Sequence, residues 1–242
     1  MSNFYETIAK GGPVMIPLVG LSVATIGCAI ERTVFWRQLL KQEGRIVHDV
    51  LESAHTDLAL AADIARRGSH LPIGRYLLAP LRLHQPTPET FHLALETSSE
   101  KEFIEIRRGH KLLESVVGIA PLLGLLGTVT GLIMTFSNLN IGGGGGASSA
   151  GDLGKAAEGI GEALITTAGG MIVAIIALSI LRVLVSLEAK QLDYFSIVGS
   201  ELELIYRQIW YEPKFQYQKS ASNPDVGRIN DFIPIDRSTV DG

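Results

Sequence analysis

The chain has 242 residues, a formal net charge of −4 and 46% hydrophobic residues, with a mean hydropathy of +0.26. That length holds a modest extramembrane region plus a few membrane spans, not a large extramembrane enzyme, and the charge gives no footprint for nucleic acid. The single cysteine, Cys28, sits in an apolar run and excludes a disulfide framework within one chain, while the six histidines (His48, His55, His70, His84, His92 and His110) lie outside the apolar runs without metal-ligand spacing, so no metal or cofactor is expected.

In chain order, the first apolar element lies between Lys10 and Glu31, a stretch without charge. A helix of about 20 residues rising about 1.5 Å each just crosses a hydrocarbon core of about 30 Å, so this is a first membrane span. It makes a poor cleaved signal: only Lys10 precedes it as a positive charge, the run is long, and no small-x-small cleavage site follows. Thr25 also stands where a lipoprotein-type box ahead of Cys28 wants an aliphatic residue, so an uncleaved span is expected.

Residues 32–114 read as helical. Asp57 can cap a short helix that runs through Ala65 and stops at Gly68, after which Pro72, Pro80, Pro86 and Pro88 punctuate the chain. Thr87-Pro88-Glu89 is a helix start, with a hydroxyl cap, a proline in the first turn and an acid near the positive end of the dipole. With no strong breaker before Pro121, a long helix is expected to run straight into a second span at about 116–136, bent near Pro121. Asn138, Asn140 and the run 142–146 of five glycines end that span. The third span, about 161–181, lies between Glu158 and Glu162 on one side and Arg182 on the other. Mixed apolar and charged residues then extend a helix to Tyr211, and a polar, mobile tail follows Pro213.

Lys and Arg near span ends stay on the cytoplasmic side. Arg32, Arg37, Lys41 and Arg45 follow span one, Lys101, Arg107, Arg108 and Lys111 precede span two, and Arg182 and Lys190 follow span three, whereas Lys155 alone lies between spans two and three. The expected organisation is an all-α membrane protein with three transmembrane helices and long cytoplasmic helical extensions. It comprises a periplasmic N-terminus and first span (1–31), a cytoplasmic helical region (32–114), the second span (115–137), a periplasmic glycine-rich loop (138–160), the third span (161–182), a cytoplasmic helix (183–219) and a mobile tail (220–242).

Spans two and three carry small and hydroxyl residues where apolar bulk is the default. Lipid gives helices no hydrophobic reason to associate, so close contacts in membranes are built from Gly, Ala, Ser and Thr. Gly124, Gly127 and Gly131 form such a face on span two, and Ala163, Thr167, Gly170 and Ala174 form one on span three. Thr128, Thr130, Thr166 and Thr167 could line a polar pore, although a threonine in a membrane helix usually returns its hydroxyl to the carbonyl one turn back. Glu162 is costly in or near a span unless it faces a cavity, a partner or a proton path; Glu158 and Lys155 on the preceding turns fit either an acidic funnel or a solvated helix end. The glycine run is no phosphate loop, because Lys155 is followed by Ala156 rather than Ser or Thr. With no histidine or aspartate in any span, an intramembrane protease site cannot be assembled, and no enzymatic activity is expected.

Three blocks carry a resemblance. Gly11-Gly12-Pro13-Val14-Met15 leading to Glu31-Arg32, Ala120-Pro121-Leu122-Leu123-Gly124-Leu125-Leu126-Gly127-Thr128-Val129, and Gly161-Glu162-Ala163-Leu164-Ile165-Thr166-Thr167-Ala168-Gly169-Gly170 resemble the MotA/TolQ/ExbB proton-channel family, and within it the ExbB and TolQ branch. The resemblance implies an inner-membrane proton-channel subunit that couples the proton gradient to mechanical work. It implies a homo-oligomer, a pentamer, around an ExbD-like or TolR-like single-span partner carrying the titrating membrane aspartate, with a TonB-like or TolA-like protein beyond it. It places the pore threonines on Thr128 and Thr167 and the family glutamate on Glu162. Thr130 stands where bulky aromatics occur in the family, and the glycine-rich loop is unusual in it. The competing reading is a structural membrane scaffold that anchors a cytoplasmic helical interaction domain.

Overall fold

A computed structural model describes residues 14–137 and 149–213. The N-terminal residues 1–13, the glycine run and the C-terminal tail named above lie outside the described residues. Every regular element described is helical: α1 (Met15–Ala54), α2 (Leu58–Arg67), α3 (Pro72–Leu81), α4 (Pro88–Ile106), α5 (His110–Ser137) and α6 (Ser149–Ile205), the last followed by a π-helical turn, Tyr206–Tyr211. Three of them, α1, α5 and α6, are long and apolar enough to cross a membrane. The protein is an all-α membrane protein.

The start signals act as the sequence suggests. Asp57 Oδ1 accepts hydrogen bonds from the backbone N–H of Ala59 (2.7 Å) and Leu60 (3.3 Å), and Gly68 closes α2. At the head of α4 the Thr87 hydroxyl accepts from the Thr90 N–H at 3.2 Å. The Glu89 backbone N–H and the Thr87 hydroxyl together hold the Glu89 carboxyl below its usual range.

Two local expectations are corrected. The helix ahead of span two is not continuous: it breaks at residues 107–109, where Gly109 takes φ +92°, while Pro121 lies inside α5, near the entry of the span as expected. Glycine adopts that left-handed backbone without the Cβ penalty other residues meet. α6 starts at Ser149, well before the expected end of the loop at 160, because Ala150, Leu153, Ala156 and Ala157 favour helix. The proline-punctuated stretch after Gly68 forms α3, since Pro72 occupies a first-turn position that lacks a helical N–H partner anyway, and Pro80 falls in the last turn.

The described residues divide into two units, 14–41 with 104–137 and 149–192, and 42–103 with 193–213. In the first, α1, α5 and α6 bury faces that recur every three and four residues: Leu18, Thr25, Cys28 and Arg32 on α1, Leu113, Val116, Ala120, Gly124 and Gly127 on α5, and Ala163, Thr166, Gly170, Ala174 and Ala177 on α6. Their outward faces are apolar, with Ile26 and Ile30, Leu122 and Ile133, and Ile172 and Ile175 all exposed. Water would penalise such a surface, and hydrocarbon does not.

The second unit has an aromatic core. Tyr76 on α3 packs against Phe195 on α6 with ring centroids 4.7 Å apart and donates its hydroxyl to the Phe195 carbonyl at 3.0 Å. Phe103 meets Phe195 edge-on, and Phe91 stacks on Tyr206. Burial, helped by the charge of Glu203, pushes the Tyr76 hydroxyl up to about 12. An acid whose folded pKa is raised gives its stabilisation in full below the unfolded pKa of about 10 and loses it as pH climbs through the folded value. Unfolding monitored against pH is therefore expected to show this unit weakening between about pH 10 and 12, and Tyr76→Phe to flatten that limb. An unchanged alkaline limb in Tyr76→Phe would assign the loss to other groups.

Candidate functional site: the seam between α5 and α6

Glycine allows α5 and α6 to run antiparallel at backbone contact. A Cβ placed on Gly124 would stand 3.0 Å from Thr167 Cα, and one on Gly170 would stand 2.6 Å from the Ala120 carbonyl oxygen and 3.0 Å from Gly124 Cα. Further along, Gly127 lies against the Thr166 side chain, Gly131 against Ala163, and Gly159 against Thr135. The seam is thus a ladder of small residues in which each glycine faces a Thr, an Ala or another glycine.

Its tightness can be tested by adding one methyl group. At Gly170 the obstructing atoms are backbone, so they cannot swing aside, whereas Gly118 has nothing within 4 Å of its would-be Cβ. Overpacking of this kind costs about 1–3 kcal/mol. Gly170→Ala should unfold at lower denaturant in detergent micelles, and Gly118→Ala should match the parent. Equal stability for both would mean that the helices are not held at backbone contact.

The hydroxyls divide into two classes. Thr128 donates to the Leu125 carbonyl (2.7 Å), Thr130 to those of Leu126 (3.0 Å) and Gly127 (3.1 Å), and Thr135 to that of Gly131 (2.8 Å), all within α5. The buried Thr166 donates to the Glu162 carbonyl at 3.4 Å within α6. Thr167 differs: its Oγ1 crosses the seam and donates to the Gly124 carbonyl at 2.8 Å. The close approach at Gly124 makes this bond possible, since a side chain there would hold Thr167 away.

Among the residues singled out from the sequence, the structure brings together Gly124, Gly170 and Thr167. Gly127 and Gly131 occupy the next rungs, and Ala174 is buried one turn beyond Gly170 on the same face of α6. Thr128 and Glu162 are half-buried at the flanks of the seam, and Glu158 is exposed. Counted along the antiparallel pair, the levels of Thr167, Thr128 and Glu162 fall within about 12 Å of helix rise. This places the hydroxyls of Thr128, Thr130 and Thr167 and one carboxylate on a short stretch of a mainly apolar surface.

A second polar cluster in the same unit was not legible beforehand. The Arg32 side chain is 5% exposed. Its Nη1 reaches the carbonyls of Ile106 (3.4 Å) and Glu105 (3.5 Å), the last of α4; its Nη2 meets Glu31 at 3.0 Å, and the guanidinium lies 4.9 Å from the centre of the Phe35 ring. A cation at a helix C-terminus satisfies orphaned carbonyls and complements the dipole. Across the break, Glu188 on α6 accepts from Arg107 Nε at 2.5 Å and stands 3.4 Å from His110 Nδ1. Cys28 Sγ occupies the space that a Cβ on Gly109 would need. The signal was present in the order Arg107-Arg108-Gly109, two cations followed by glycine, which marks a helix end.

Comparison with known proteins gives the site a context. A sequence profile described as the MotA/TolQ/ExbB proton channel family matches residues 68–196. A Synechocystis sp. protein provisionally named biopolymer transport protein ExbB-like 1 is 61% identical over 208 residues, covering 86% of this chain and 81% of that one. ExbB-like 3 of the same organism, named in the same provisional way, is 35% identical, over 84% of this chain and 95% of the relative. A Methanothermobacter thermautotrophicus protein provisionally named an ExbB homolog is 26% identical, over 81% and 69%.

Proposed function

Because the chain belongs to the MotA/TolQ/ExbB proton channel family, we propose that it is the channel-forming subunit of an inner-membrane motor that converts the proton gradient into mechanical work. The observation that carries this reading is the small-residue seam of α5 and α6, with hydroxyls at Thr128 and Thr167 and a carboxylate at Glu162 on an apolar surface. Hydroxyls and a carboxylate at membrane depth belong against a cavity, a partner or a proton path. In this reading five copies form a ring, and their α5 and α6 helices enclose single-span helices of an ExbD-like or TolR-like partner. That partner supplies the aspartate that takes up and releases the proton. Thr128 and Thr167 accept from water or from the protonated aspartate as they stand, and donate to the ionised aspartate by turning their O–H away from the Leu125 and Gly124 carbonyls, and Glu162 draws protons toward the ring. The N-terminus and glycine run face the periplasm, and residues 32–114 and the C-terminus face the cytoplasm. A TonB-like or TolA-like protein would receive the work.

The test is native mass spectrometry of the protein extracted gently from its own membranes. A five-membered ring carrying a small single-span protein with a membrane aspartate is the expected result. A monomer or dimer without such a partner, under conditions that keep other membrane complexes intact, would overturn this reading in favour of a scaffold.

A further inference from the structure

Two unusual local features meet in the second unit at one cavity of about 420 Å3, within the range of about 300–1,000 Å3 typical of ligand pockets. Its walls include Phe91, Pro86, Gln85, Tyr206, Trp210 and Tyr211. Gln85 holds φ +49°, a left-handed backbone that residues with a Cβ seldom adopt and that gathers at ligand clamps and functional sites. Tyr206, Trp210 and Tyr211 belong to the π-helical turn, a departure from α geometry that is frequent at functional sites. The wall is also fixed in place: Tyr206 donates to the Pro86 carbonyl at 2.6 Å, Trp210 Nε1 donates to the Ala54 carbonyl at 2.9 Å, and the Phe91 and Tyr206 rings stack 4.4 Å apart. The cavity is therefore lined by side chains that these bonds fix in place, and it presents aromatic and proline surfaces.

Surfaces of that kind take extended, proline-containing peptide, which arrives with little conformational entropy left to lose. The chain carries such a segment beyond the described residues. Phe232-Ile233-Pro234-Ile235 is an apolar run in the mainly polar sequence after Pro213, and aspartates flank it at 231 and 236. Proline restricts Ile233 to extended backbone. The loop at the rim of the cavity carries Arg82 and His84, both exposed and of charge complementary to those aspartates when His84 is protonated. Attachment favours the pairing further, because Trp210 and Tyr211 in the wall lie just before Pro213 and residues 214–231 can span up to about 60 Å. A segment tethered this way is present at an effective concentration on the order of millimolar, so a weak contact is enough to fill the cavity.

We propose that this cavity is the docking site for residues 232–235 of the same chain. The proposal is independent of the channel reading and concerns only the second unit and the C-terminal sequence. Disulfide formation in the full-length protein tests it, in a Cys28→Ser background. One variant carries Leu83→Cys with Ile235→Cys, the other Leu83→Cys with Ser222→Cys, and the oxidised products are identified by proteolysis and mass spectrometry. Residue 222 lies nearer the attachment point, so without docking it should link to position 83 at least as fast as residue 235. Docking predicts the reverse, with the 235 pair roughly tenfold faster within one subunit, and predicts that adding Phe232→Ser removes the advantage. Equal rates, a faster 222 pair, no link in either variant, or links found between isotopically distinct subunits would each overturn the proposal.

Discussion

If the chain works as the proposed proton-driven channel subunit, replacing Thr167 by valine is expected to abolish that work while the protein still accumulates, whereas Thr167→Ser retains most of it. Valine keeps the shape of threonine and removes the hydroxyl, so the bond to the Gly124 carbonyl and any contact with water or a partner aspartate disappear together. The structural share of that loss is small, since interhelical hydrogen bonds in membranes are worth about 0.6 kcal/mol on average and at most about 1.7. A collapse of proton flux by tenfold or more would correspond to at least about 1.4 kcal/mol in the barrier, and its restoration by serine would tie it to the hydroxyl. Thr128→Val separates the two contributions, because its hydroxyl bonds only within α5 among the contacts described and carries no interhelical share. The measurement is proton uptake into vesicles holding the protein with the proposed single-span partner, with subunit number checked alongside. Wild-type flux in both valine variants would remove the threonines from the pathway.

A large loss of stability is expected from Arg75→Met in the second unit. Arg75 of α3 donates through Nε (2.8 Å) and Nη2 (2.5 Å) to Glu102 of α4, whose side chain is only 4% exposed, and through Nη1 to the Ser69 carbonyl. Removing one partner of a buried ion pair costs about 3–5 kcal/mol, because the remaining charge stays out of water without compensation. The asymmetry gives a check. Arg75 is 33% exposed and can rehydrate when its partner goes, so Glu102→Gln should cost less, about 1.5–3 kcal/mol by the loss of a charged hydrogen bond. Denaturant titrations of the full-length protein, followed in the near-ultraviolet where the aromatic core of this unit reports, distinguish the cases. Equal effects of the two substitutions would show that the pair, not the stranded carboxylate, sets the cost.

The spans were readable because membrane helices obey a simple constraint. An uncharged stretch of about 20 residues can do little else, and the glycines of α5 announced close packing by their spacing alone. The caps at Asp57 and Thr87 were readable for the same reason, as each satisfies its own neighbours. The break at Gly109 was missed although Arg107 and Arg108 precede it, because a single glycine is tolerated in many helices and what fixes this one is distant. Arg32, 77 positions earlier in the sequence, binds the carbonyls that the break exposes. Read locally, Arg32 and Arg107 were only markers of the cytoplasmic side. The π-helical turn left no trace either, since its register depends on Pro86 and Ala54 accepting from Tyr206 and Trp210. Thr167 could be selected from the sequence, but not the direction of its hydroxyl, which only the antiparallel pairing with Gly124 decides.

A surface made of glycine, alanine and threonine is nearly smooth. Dispersion forces across it resist separation of α5 and α6, and only the shallow steps where Thr166 seats against Gly127 and Thr135 against Gly159 oppose one helix sliding along the other. The Thr167 bond to Gly124 acts as a pin in that slideway, choosing one register among neighbours displaced by a turn, about 5.4 Å apart. With the pin in place the two helices behave as one stave, and an axial push on either is carried by both.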